Sequence, residues 1–161
     1  MNKSKEDIVR FFGDKLRVRV NGILIEDDKI LLIKHRSLGL SGVFWSTPGG
    51  GMEYGSSAED NLKREFLEET GLEVKVGDFL FVHEYLDVPL HAVELFFTVF
   101  RIAGSVSMGL DPEIPIDNQI ISDIRFFSIQ DIKKMPKTDR HQIFEHCTDL
   151  SELLALRGYF K

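Results

Sequence analysis

The sequence is short of cysteine, of long apolar runs and of positive charge. Cys147 is its one cysteine, so no internal disulfide can form. A reducing, cytoplasmic setting is the expectation that follows. Cys147 itself is read as a buried, inert thiol. The opening stretch, Met1 to Asp7, has no apolar run of signal-peptide length, and no segment is long and apolar enough to span a membrane. The formal net charge is −6, which gives no electrostatic footprint for duplex nucleic acid. An anionic substrate would have to be met by local basic groups and by metal, against the overall field.

What is present suits one globular domain. The chain has 161 residues, 43% hydrophobic and 29% charged, enough for a real core in a single domain over 1–161. No internal repeat, low-complexity tract or linker interrupts it.

Residues Ser4 to Phe12 read as a short amphipathic helix ended by Gly13, either a packing arm or a dimer contact. Leu16 to Ile25 is rich in β-branched residues and reads as a strand. Asp27-Asp28 supplies a turn, and Lys29 to Lys34 its hairpin partner. His35 to Gly42 reads as a loop whose His35 and Arg36 could meet a phosphate, with simple solvation preferred. Val43 to Thr47 reads as a short strand. Phe44 and Trp45 could stack on a base, but core packing is preferred.

The chain then runs Gly49-Gly50-Gly51 and on to Gly71-Leu72. Ser57 can cap a helix, with Asp60 three residues on, and Gly71 suits the left-handed position that ends one. Between them Glu65, Glu68 and Glu69 fall at i, i+3 and i+4, which sets three carboxylates on one face. Like charges at that spacing destabilise an isolated helix. A hard divalent ion would relieve them, since Mg²⁺ takes carboxylate oxygens and keeps waters and substrate phosphates as its other ligands. Arg64, one turn before Glu68, could orient or partly neutralise it. The triple glycine is no P-loop, because no Gly-Lys-Ser/Thr follows.

The whole of Gly50 to Leu72 resembles the Nudix box, G-x5-E-x7-R-E-U-x-E-E-x-G-U, with U a bulky apolar residue. Gly50, Arg64, Glu65, Phe66, Glu68, Glu69, Gly71 and Leu72 fall on its fixed positions, while Ser56 stands where the family has a first glutamate. The resemblance implies an α/β/α sandwich around a mixed sheet. It implies hydrolysis of a nucleoside diphosphate linked to another group, with Mg²⁺ or Mn²⁺ as cofactor. Glu65, Glu68 and Glu69 would be metal ligands, with the Gly49 carbonyl a further candidate. Glu65 would also be the candidate base, and Arg64 an orienting partner. Ser56 puts the rate in doubt, because outer-shell partners tune metal sites by about ten- to a hundredfold. The rival reading is a related domain that binds nucleotides or sugar nucleotides without cutting them.

Beyond the box, Glu73 to Val76 and Asp78 to Tyr85 read as extended, Asp87 to Pro89 as a turn, and His91 to Ile102 as a strand. His83, Glu84 and Tyr85 could line a cleft or serve the core. Gly104 to Asn118 reads as a long loop. The extra acid that many family members place there is not matched by Asn118-Gln119-Ile120, which leaves Glu113, Asp117 and Asp123 as weak substitutes. Ile120 to Phe127 reads as a strand, Ser128 as a helix cap, and Asp139 to Leu156 as one amphipathic helix. His141 and His146 are five apart and do not match a one-turn metal pair. The substrate is expected to be a small nucleoside-diphosphate derivative. Its identity and the oligomeric state, a homodimer included, stay open.

Overall fold

A computed structural model describes residues 3–36, 41–110 and 119–161. Helix α1 (Lys3–Phe12) leads into β1 (Lys15–Glu26). Asp27 and Asp28 both take left-handed conformations, with φ of 47° and 57°. Such a two-residue turn matches the twist of the strands it joins, and β2 (Lys29–Arg36) returns antiparallel. Then follow β3 (Val43–Ser46), β4 (Gly49–Gly51), α2 (Ala58–Thr70), β5 (Glu73–Asp87) and β6 (Leu90–Ala103). The chain closes with β7 (Ile121–Phe127), α3 (Ile129–Lys134), α4 (Leu150–Ala155) and β8 (Gly158–Phe160).

The eight strands form a mixed sheet. β1 runs parallel to β6 and antiparallel to β4; β5 is antiparallel to β6 and parallel to β8. β2 lies between β3 and β7, antiparallel to both. Alternation along β1 sends Val20 and Leu24 to one face and Ile23 to the other. Val20, Leu24, Leu62, Phe66, Leu72, Val74 and Val99 form the core under α2. On the opposite face Ile23, Phe81, Phe96, Ile129, Ile132, Phe144 and Leu153 pack together beneath α3 and α4. Helices on both faces of a mixed sheet make the expected α/β/α sandwich. Among the described residues no helix is long and apolar enough to cross a membrane.

Two expectations are corrected. His35 and Arg36 belong to β2 rather than to a loop. His35 is buried and shares a 3.0 Å hydrogen bond with Ser46 Oγ. Burial, with the Arg19 charge second, pushes its pKa down to about 3, so it is neutral and no phosphate receptor. Nor is Asp139–Leu156 one helix. It breaks into 3₁₀ turns at Lys137–Asp139 and Gln142–Glu145, then α4. The cause is local capping. The Ile143 amide donates to His141 Nδ1, and the Glu152 amide donates to Asp149 Oδ1, so each starts a new turn. The apolar positions Ile143, Phe144, Cys147, Leu150 and Leu153 are buried all the same. Trp45 packs edge-on against Phe127 at 4.8 Å in the core, as expected.

Candidate active site

The glycine strand and the box helix are built against each other. β4 pairs with the middle of β1, setting Gly49 opposite Asn21 and Gly51 opposite Arg19. The Gly22 amide donates to the Pro48 carbonyl at 3.0 Å and the Met52 amide to the Val18 carbonyl at 2.9 Å, pinning both ends of the glycine run. Helix α2 starts where expected: Ser57 Oγ accepts from the Asp60 amide at 3.1 Å. It stops at Gly71, whose φ is 72° and whose amide donates to the Leu67 carbonyl. The described part of the long loop covers its last turn. The Ser107, Gly109 and Leu110 amides donate to the Thr70, Glu69 and Glu68 carbonyls. These would otherwise be orphaned.

Between these ends the acidic face meets the glycines. The Gly49 amide donates to Glu69 Oε2 at 2.9 Å. A Cβ on Gly50 would stand 2.3 Å from the Glu65 carboxyl carbon, so the carboxylate lies flat against a backbone that only glycine leaves open. Glu65 and Glu69 are buried, and Glu68 is half-buried. The Arg64 guanidinium donates to Glu68 Oε2 and Glu65 Oε1, each at 2.8 Å, and lies 3.7 Å from Glu53. Burial works against the Arg64 charge, but the charges of Glu65, Glu68 and Glu53 outweigh it and raise its pKa. Asn61 ties the loop to the helix. Its Oδ1 accepts from the Glu53 amide at 2.9 Å, and its Nδ2 donates to the Ser57 carbonyl at 2.6 Å.

One guanidinium is shared among the Glu65, Glu68 and Glu53 carboxylates, and the Glu69 carboxylate lies against the same glycine backbone. Hard oxygen donors beside a backbone carbonyl suit Mg²⁺ or Mn²⁺. In donor chemistry the α2 carboxylates match the ion that the box implies. One feature departs from the expected ligand set: the Gly49 carbonyl accepts from Arg19 Nη2 at 3.2 Å.

A second constellation lies on the other face of the sheet, missed at the sequence level. His83 and Glu94 are cross-strand partners in β5 and β6, and Arg19 pairs with Glu94 across β1 and β6. Glu94 Oε2 is 3.0 Å from His83 Nδ1 and 2.8 Å from His141 Nε2. Among the described residues, this is the one set of three His, Cys, Asp or Glu donors that closes to within 4.8 Å. Geometry nevertheless argues against a metal there. A ligating histidine keeps its proton on the other ring nitrogen and donates it. His141 Nδ1 instead accepts from the Ile143 amide at 3.2 Å, which assigns the proton to Nε2, facing Glu94. The set reads as a carboxylate locked by two imidazoles. Burial raises the cost of the Glu94 charge. The hydrogen bonds from His141 and His83, with the Arg19 charge, outweigh it and hold the carboxyl far below its usual range.

Other candidates are accounted for elsewhere. Asp123 pairs with Arg125 at 2.5 Å and accepts from the Ile124 amide. Glu84 pairs with His91 at 2.7 Å and accepts from the Tyr159 hydroxyl. Glu113, Asp117 and Asn118 lie outside the described residues.

Residues 15–147 match the NUDIX domain. The chain belongs to the NUDIX domain family. It is 33% identical over 120 residues to a protein named ADP-ribose pyrophosphatase from Methanocaldococcus jannaschii. That match covers 73% of this chain and 65% of the relative, just under two thirds of its length. Among solved structures, a NUDIX hydrolase from Nitrosomonas europaea superposes with a TM-score of 0.69 at 22% identity, covering 86% of this chain and 88% of the other. A MutT NUDIX hydrolase from Burkholderia pseudomallei gives 0.63 at 21% identity, covering 86% and 96%. At such identity these two speak for the fold alone. NUDIX hydrolases are generally dependent on divalent metal, which agrees with the acidic face of α2.

Proposed function

We propose that this protein is a metal-dependent pyrophosphohydrolase that cleaves the phosphoanhydride of a nucleoside diphosphate linked to another group. The observation that carries the reading is the Glu65 carboxylate seated on Gly50 while Glu69 holds the Gly49 amide. This brings buried anionic oxygens against a glycine backbone that a phosphate can approach closely. Glu65, Glu68 and Glu69 would hold Mg²⁺ or Mn²⁺, which when bound withdraws charge from phosphoryl oxygens and makes water more acidic. Glu65 would accept the proton of the attacking water, with Arg64 orienting it. Attack on phosphorus needs positioning and charge stabilisation, so no Ser or Cys nucleophile is required. The name of the archaeal relative makes ADP-ribose the first substrate to test.

The experiment is a panel of ADP-ribose, nucleotide sugars and (d)NTPs, assayed with Mg²⁺ and with Mn²⁺, for the wild type and Glu69→Gln. Turnover that needs metal and falls steeply in the variant, with little change in folding stability, supports the reading. Tight binding without turnover of any substrate marks the non-cutting binding domain, toward which Ser56 leans. Equal activity in the variant contradicts the assigned roles.

A further inference from the structure

Arginines in this chain are engaged to very different degrees. Arg140 is 4% exposed and spent on structure, donating to the Ile132 carbonyl at 2.5 Å and to Glu145 at 2.6 Å. Arg64 is shared among Glu65, Glu68 and Glu53. Arg19 differs from both. Its hydrogen bond goes to the Gly49 carbonyl, and its Nε stands 3.7 Å from Glu94 Oε1, too far for a hydrogen bond. A guanidinium has five N–H donors in a planar fork, so most of that capacity is not taken up by these two groups. The side chain is 22% exposed, so those donors reach solvent.

Its aim is nonetheless fixed. Glu94 Oε2 takes both imidazoles, His83 and His141, and these rings are themselves buried. That leaves Oε1 facing Arg19. The carboxylate cannot swing away without stranding two buried donors. The guanidinium is thereby held at the carbonyl of Gly49, the residue whose own amide donates to Glu69. One residue of backbone separates this cation from the acidic face.

We propose that Arg19 is a substrate-binding residue that takes a phosphoryl oxygen of the diphosphate, and that Glu94, His83 and His141 are positioning residues that aim it. The inference rests on the pyrophosphohydrolase reading above. A diphosphate entering beside Glu65, Glu68 and Glu69 approaches acidic side chains, and Arg19 supplies a positive charge on the Gly49 side. A planar fork with spare donors suits a tetrahedral anion better than a lone carbonyl.

The test compares the wild type with Arg19→Ala, Arg19→Lys and Glu94→Gln. ADP-ribose turnover is measured with Mg²⁺. Calorimetric titration with ADP-ribose and with inorganic pyrophosphate is done in EDTA. Losing a charge-assisted hydrogen bond predicts a rise in KM and a loss of metal-free affinity of about 10- to 100-fold in Arg19→Ala, with kcat much less affected. Arg19→Lys recovers part of the loss. Glu94→Gln, which loosens the aim, shifts KM the same way by less. Should Arg19→Ala fail to fold, Arg19→Lys and Glu94→Gln carry the comparison. An unchanged KM and affinity in a folded Arg19→Ala overturns the proposal. A wild type that cuts none of the panel refutes the hydrolase reading. The titrations still decide this one: lost affinity in the variant supports it, while equal affinity, or a wild type that binds neither ligand, overturns it.

Discussion

The carboxyl carbon of Glu65 lies 2.3 Å from the position a Cβ on Gly50 would take. That is closer than any real Cβ contact, so the glycine and the glutamate are one device. The atom in the way is the end of a side chain and not backbone, so a methyl group there would displace the carboxylate rather than break the fold. Gly50→Ala is therefore predicted to leave thermal stability within about 1 kcal/mol of wild type. Turnover should fall by about a hundredfold, the usual consequence of moving a reacting group by about an ångström. Paired measurements of kcat/KM and of urea unfolding check this.

Gly71→Ala is predicted to do the reverse. Gly71 ends α2 at a φ of 72°, a conformation that costs an L residue about 1–2 kcal/mol. A Cβ would also press on Ser107 Oγ at 2.3 Å, in the strap that caps the helix. The expected result is a loss of stability of about that size in denaturant unfolding. Residual activity should then track the folded fraction.

How much of this was readable beforehand divides by sequence distance. The box helix was legible to the residue, because Ser57, Asp60 and Gly71 are local signals acting within one turn. The β1–β2 hairpin was legible for the same reason, with Asp27-Asp28 between two β-branched runs. The Arg19–Glu94–His83–His141 cluster was not. Its members are scattered along the chain: Arg19, Glu94 and His83 meet through the β1–β6 and β5–β6 registers, and His141, whose amide is tied to the Trp45 carbonyl, joins them from the start of a 3₁₀ turn. The one clue was polar residues at inward positions of otherwise apolar strands. The apolar spacing over Asp139–Leu156 suggests one helix but does not carry its breakers. Asp149 with Glu152 forms a capping pair that starts α4 afresh. β8 at Gly158–Phe160 is three residues that pair with β5 only in the folded chain.

Buried titratable groups set the acid behaviour. His35 is neutral in the fold, with its pKa lowered from 6.5 to about 3. Below 6.5 the unfolded chain binds a proton that the folded chain does not. Stability therefore falls as pH drops from about 6.5 toward about 3, with a slope of about 1.4 kcal/mol per pH unit from this group. Glu94 adds a second loss in a lower window. Its folded pKa is depressed, so its contribution is complete above the ordinary value of 4.5 and is lost as pH falls further. Urea unfolding across pH 3 to 8 should show both. His35→Gln is expected to flatten the curve between 6.5 and 4.5 and leave the steeper fall below 4.5 in place.

Two donor sets compete for a divalent ion: the carboxylates of α2, and His83, Glu94 and His141. Anomalous diffraction at the manganese edge, from crystals grown with Mn²⁺ and ADP-ribose, separates them directly. Manganese is predicted at oxygens of Glu65 and Glu69 or Glu68, with the nucleotide's diphosphate completing its shell. Manganese at His83, Glu94 and His141, or no peak beside the α2 carboxylates, would contradict it.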